Sequence, residues 1–191
     1  KSEKLIPKNF TEPLRIHDYS FSDDLKLLLI FTNTKRVWRT NTRGDYWVLN
    51  LENWDLKKIG GNAKPSSLMF ATFSPDKKSI AYVSENNLYV ENLEDDKIIQ
   101  LTNDGSETII NGTFDWVYEE ELGLKNGFRW SPNSKQIAYW QLDASGIGVF
   151  NMINYTDSVY SKIIPVQYPK AGTQNSACKV GVVDISNQKT K

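Results

Sequence analysis

The 191-residue chain predicts an all-β fold, and within that class part of a β-propeller. Three observations carry the prediction. A hairpin-forming pattern occurs three times, the copies share one turn chemistry, and the first two run on into a common strand ending. The copies are YSFSDDLKLLLIFT (Tyr19–Thr32), ATFSPDKKSIAYVS (Ala71–Ser84) and FRWSPNSKQIAYWQ (Phe128–Gln141). Phe21, Phe73 and Trp130 hold equivalent positions, so the repeat length is about 50–60 residues.

Each copy places an aromatic residue and a serine before a turn, then a basic residue and an apolar strand. Pro75 and Pro132 suit the second position of a type I turn, where their fixed φ is already correct; Asp23 takes that place in the first copy and is tolerated there. The turn joins two alternating strands into a hairpin. DYWVLNLENWDLKKI (Asp45–Ile59) and NLYVENLEDDKIIQL (Asn87–Leu101) then give aromatic–Val–x–Asn–Leu, an acidic turn and a basic, apolar strand. Four short strands per repeated unit is the pattern of a propeller blade. A β-sandwich is the runner-up, but it does not require self-similarity. A strand is expected at Glu107–Ile110, and the one clear helix candidate is the short acidic stretch around Val117–Leu122. Propellers close with about four to eight blades, so three copies read as a piece of a larger ring. In the third, an insertion precedes GVVDISNQKTK. Exposed blade edges in such a piece favour self-association.

Composition narrows the function. Lys plus Arg and Asp plus Glu number 23 each, so no net field draws the chain to nucleic acid or to a membrane surface. No apolar run approaches the roughly 20 residues that span a bilayer. The start, KSEKLIPKNF, lacks a signal-peptide pattern, so any export signal is expected to have been removed or never to have existed. One cysteine, Cys178, excludes an internal disulfide framework and a cysteine metal cluster. No cofactor or metal site is expected.

The run DWVYEEE (Asp115–Glu121) drives three carboxylates into the edge of an apolar patch. Such a run most often faces water. Here it interrupts the blade rhythm, and insertions on rigid β scaffolds are where binding groups concentrate. On one helical turn neighbours point about 100° apart, so two adjacent carboxylates can meet one small cation while the third points elsewhere. Close carboxylates repel unless a cation sits between them. A peptide α-ammonium, with a pKa of roughly 7.7–8.0, is such a cation.

TFDWVYEEE resembles the double-glutamate motif in the propeller domain of the dipeptidyl peptidase IV family, which belongs among the prolyl oligopeptidase-like serine peptidases. WRTNTRGDYWVLNL (Trp38–Leu51), FRWSPNSKQIAYWQLD (Phe128–Asp143) and PVQYPKAGTQNSACKVGVV (Pro165–Val183) extend the likeness in family order, covering most of the chain from His17 on. The resemblance implies that residues 1–191 are a fragment of an N-terminal, eight-bladed propeller, its α/β-hydrolase domain lying outside this chain. It implies a parent that releases N-terminal dipeptides, with Pro or Ala preferred at the second position. Its amine-binding pair falls on Glu120 and Glu121, and its substrate-carbonyl arginine falls on Arg39. Glu119 and Asp115 are expected to shape the segment, with Tyr118 and Trp116 packing its apolar side. The partners implied are a peptide with a free N-terminus and the C-terminal hydrolase domain.

The chain carries no catalytic residues of its own. It has one histidine, His17, expected to be a strand residue, and no G-x-S-x-G elbow; DASGIG (Asp143–Gly148) lacks the first glycine. The alternative to a recognition piece of a peptidase is a non-enzymatic propeller scaffold, since one fold hosts many functions. Three N-x-T strings, at Asn9, Asn111 and Asn154, would matter only in a eukaryotic secretory pathway. The Lys-, Asn- and Ile-rich composition favours a bacterial periplasmic setting.

Overall fold

The computed structural model describes residues 14–191; the string at Asn9 lies outside them. The first unit comprises β1 (Ile16–Phe21), β2 (Leu27–Arg36), β3 (Asn41–Asn50) and β4 (Leu56–Lys58), paired antiparallel in chain order. The second repeats it with β5 (Leu68–Phe73), β6 (Ser79–Ser84), β7 (Asn87–Asn92) and β8 (Ile98–Gln100). A single pair, Gly44 with Leu68, bridges β3 to β5. The third unit holds β9 (Ile109–Asn111), the helix α1 (Trp116–Leu122), β10 (Phe128–Trp130), β11 (Gln136–Asp143) and β14 (Ala177–Asp184). Its β11 pairs β14 along one edge, and β9 and β10 along the other. Between β11 and β14 the insertion forms a separate two-stranded hairpin of β12 (Val149–Asn154) and β13 (Lys162–Gln167). Among the described residues no sheet closes on itself. His17 lies in β1, edge-on to Phe31.

One hydrogen-bond pattern builds all three first hairpins. Ser22, Ser74 and Ser131 each donate a hydroxyl hydrogen bond to the side chain two residues on, Asp24, Asp76 and Asn133. Each hydroxyl also accepts from the first residue across the turn, Leu27, Ser79 or Gln136. The turn closes when Leu25, Lys77 and Ser134 donate N–H back to the serine carbonyls at 2.8, 2.9 and 3.0 Å. These three residues have φ of 59°, 64° and 60°, the left-handed position that follows a type I turn in these four-residue hairpin loops.

The shared strand ending also occurs a third time, after the insertion. Asn50, Asn92 and Asp184 each accept the second and third N–H groups that follow them. Trp54, Asp96 and Gln188, at φ of 63°, 60° and 57°, close these turns. β14 is therefore the third unit's counterpart of β3 and β7, displaced along the sequence by the inserted hairpin.

The units pack face to face. Phe31, Tyr46, Val48 and Leu68 share a buried cluster with Ile80 and Tyr82, joining the first and second units. Val83, Leu88 and Val90 share another with Phe128, Ile137, Tyr139 and Val183, joining the second and third. Gly44, which makes the bridge to Leu68, has no room for a side chain against its neighbouring strand β2. A Cβ there would come within 2.3 Å of the Phe31 ring and 2.6 Å of the Thr32 carbonyl oxygen. Polar ties supplement the packing: Lys77 Nζ lies 3.2 Å from Asp24. The Asp76 N–H donates to Ser134 Oγ at 3.0 Å, and Trp130 Nε1–H to the Thr72 carbonyl at 3.2 Å.

Candidate functional site

The connection from β9 to β10 must turn a chain that has left one sheet edge back to that same edge. Seven residues do so as α1, a length too short to be stable alone. Asp115 caps its start in extended conformation, accepting the Tyr118 N–H at 3.2 Å. This satisfies one of the orphan amides of the first turn. Gly123, at φ 67°, ends it in the left-handed region that favours glycine. Phe114 and Tyr118 stack with centroids 5.7 Å apart over Ile110 and Leu142, fixing the helix to the third unit.

The three glutamates meet three environments. Glu119 is buried, and burial raises its pKa; Glu120 adds a smaller push the same way, while Lys125 and the Thr40 hydrogen bond oppose it. The Thr40 hydroxyl donates to it at 3.5 Å, across 79 residues of chain. Glu120 forms an ion pair with Arg39; its side chain is 7% exposed and that of Arg39 is 79% exposed. Arg39 reaches over from the turn between β2 and β3, so most of its guanidinium remains available. Glu121 is exposed, and among the described residues no ion pair holds it. Trp116 packs on Tyr168 with centroids 4.5 Å apart. Asp115 does more than cap, because its second oxygen accepts the Ser176 hydroxyl.

A cavity of about 580 Å³ adjoins the helix. Trp38, Arg43, Glu107, Trp116, Glu119 and Gln167 are among the residues lining it. Of the three glutamates only Glu119 contributes to this wall; Arg39, Glu120 and Glu121 lie outside it. Trp38, Arg43, Glu107 and Gln167 come from distant parts of the chain, and no local sequence pattern marks them as meeting. Asn111 of the second N-x-T string is fully buried, bonding Asp104 and the Asn86 carbonyl, so in the folded chain it is closed to modification.

Blades built on one repeat, with a short acidic helix held between the third unit and the β2–β3 turn of the first, define a β-propeller domain. Residues 22–191 match the family model described as the dipeptidyl peptidase IV (DPP IV) N-terminal region. The chain belongs to the dipeptidyl peptidase IV family, within that N-terminal region. It is 31% identical over 188 residues to prolyl endopeptidase FAP of Homo sapiens, covering 97% of this chain and 24% of that one. To dipeptidyl aminopeptidase B of Saccharomyces cerevisiae it is 34% identical over 179 residues, covering 91% of this chain and 21% of the relative. The crystal structure of Porphyromonas gingivalis dipeptidyl peptidase 4 superposes with a TM-score of 0.89 at 28% identity, over 99% of this chain and 27% of that one. The chain thus spans about a quarter or less of the length of these relatives.

Proposed function

We propose that this chain is the amine-recognising part of a serine-type dipeptidyl aminopeptidase, with nucleophile, acid and base supplied by a hydrolase domain elsewhere in the parent. The observation that carries the reading is the Arg39–Glu120 ion pair with the exposed Glu121 one position on. Together these groups carry one net negative charge, which a single protonated peptide amine balances. Arg39 relieves the repulsion two bare carboxylates would suffer and orients Glu120. Its outward N–H groups can then donate to the carbonyl of the peptide's first residue. Glu121 and the remaining lone pairs of Glu120 accept from the ammonium, each such bond contributing roughly 1.5–3 kcal/mol. Glu119, turned inward to Thr40, stays out of this exchange.

A wall of fixed carboxylates also stops a longer chain from extending past the amine, which sets release at two residues. The preference for Pro or Ala at the second position and the free-amine peptide as partner rest on the family resemblance. Catalysis needs placement as well as charge, since misplacing a substrate by about 1 Å costs on the order of 10²-fold. In the full-length enzyme, Glu120→Gln, Glu121→Gln and Arg39→Ala are each expected to lower kcat/KM for free-amine peptides by 10-fold or more, about one lost charge-assisted bond. Undiminished turnover in Glu121→Gln would refute the assignment.

A further inference from the structure

The structure holds α1 from two sides, and only one side belongs to the Arg39 turn. The other is a strap, residues 168–176, running from the end of β13 back to β14. Two contacts join it to the first turn of the helix, and β14 adds a third. The Tyr168 ring packs on Trp116 at 4.5 Å. The Ser176 hydroxyl, in a buried residue, donates to Asp115. Cys178, two residues on, lies against Tyr118.

The strap is itself braced. The Tyr168 N–H donates to the Gly148 carbonyl at 2.9 Å, and Gln167 Nε2–H to the Ala144 carbonyl at 2.9 Å. The Thr173 hydroxyl closes a turn on the Lys170 carbonyl at 2.7 Å. Lys170 Nζ stands 5.3 Å from the Phe150 ring centroid, and Phe150 lies 6.2 Å from Tyr168. A seven-residue helix has no rigidity of its own to fix a side chain within the fraction of an ångström that substrate placement demands. Its tethers must supply that.

We infer that Tyr168 and Ser176 are positioning residues for amine recognition: through Trp116 and Asp115 they set the place of Glu120 and Glu121. This rests on the amine-reading role proposed above. Neither residue reaches the ion pair; they fix the first turn, and the last turn carries the carboxylates. A residue acting this way alters the discrimination between charged and uncharged peptide starts. A residue that merely holds the fold together lowers turnover of both alike.

The test uses the full-length enzyme and two probes, one dipeptidyl amide with a free amine and the same compound N-acetylated. Ser176→Ala and Tyr168→Ala are expected to reduce kcat/KM for the free amine by about 10–100-fold, bounded by the cost of a misplacement near 1 Å. Turnover of the acetylated probe is expected to hold, so the ratio between the two collapses. Ser176→Thr and Tyr168→Phe, which keep the hydroxyl and the ring, should restore the ratio. Combining Ser176→Ala with Glu120→Gln should cost less than the two separate losses predict, because both act through one carboxylate. An unchanged ratio in both alanine variants, or an equal fall for both probes, overturns the inference while leaving the amine-reading role intact. A native enzyme that turns over both probes equally removes that role, and this inference with it.

Discussion

Asp115→Ala removes two bonds at once, and their sum can be read locally. The carboxylate accepts the Tyr118 N–H as a helix cap, and losing such a cap costs about 1 kcal/mol. It also accepts the Ser176 hydroxyl; a hydrogen bond to a charged group is worth about 1.5–3 kcal/mol. The opening free energy of α1 should therefore fall by about 2–4 kcal/mol, or roughly 30- to 1,000-fold in the opening equilibrium at about 1.4 kcal/mol per decade. Hydrogen exchange of the amides in residues 118–124 of the full-length protein measures this directly, because the first two helical amides are not the ones the helix protects. Asp115→Asn keeps one acceptor for the cap of equal quality and turns its amide N–H towards Ser176, whose hydroxyl can accept instead, so its effect should be smaller than that of Ala. Unchanged exchange in Asp115→Ala, or equal effects of Asn and Ala, would show that these two bonds do not hold the helix.

Three further outcomes follow from particular residues. Burial raises the pKa of Glu119, so its contribution to stability is fullest below the unfolded value of about 4.5 and is lost as pH rises through the folded value. Replacing it by the neutral isostere in Glu119→Gln should therefore raise Tm more at pH 7 than at pH 4, and a difference that shrinks with rising pH would contradict this. Gly44→Ala drives a Cβ to 2.3 Å from the Phe31 ring; overpacking of this kind costs about 1–3 kcal/mol, and a melting temperature equal to the parent's would count against the tight β2–β3 contact. The β12–β13 hairpin exposes Phe150, Met152, Ile153, Tyr155, Val159 and Ile163, far more apolar surface than a solvated hairpin carries without a partner. Light scattering at micromolar concentration should give more than one chain's mass, and Ile153→Asp with Ile163→Asp, which face each other across the hairpin, should return it to one.

Much of the fold was legible because turns leave local marks. Ser74–Pro75–Asp76 and Ser131–Pro132–Asn133 announce their hairpins through residues whose side chains and fixed φ make the turn, and the same spacing shows through Asp23 in the first copy. Asp184 escaped as the third strand ending because the inserted hairpin separates β14 from the unit it completes. Exposed apolar side chains lie along the edge strand β1, at Ile16, Tyr19 and Phe21, as well as on that hairpin, whose strands show no single buried face. The helix was expected around Val117–Leu122; its capping by Asp115 and Gly123 was not. Which glutamate turns inward could not be read: three identical residues in a row carry no periodic signal, and the choice is made by Thr40 and Arg39, distant in sequence. The strap contacts of Tyr168 and Ser176 were hidden for the same reason.

The central claim is that the Arg39–Glu120–Glu121 group reads a protonated chain start. The most direct measurement is the ratio of kcat/KM for a free-amine peptide to that for its N-acetylated form, in the native full-length enzyme and in Glu121→Gln. The expected ratio is well above 10 in the native enzyme, matching at least one charge-assisted bond of about 1.5–3 kcal/mol, with a marked fall in the variant. A ratio near one in the native enzyme, or one that Glu121→Gln leaves untouched, would contradict it.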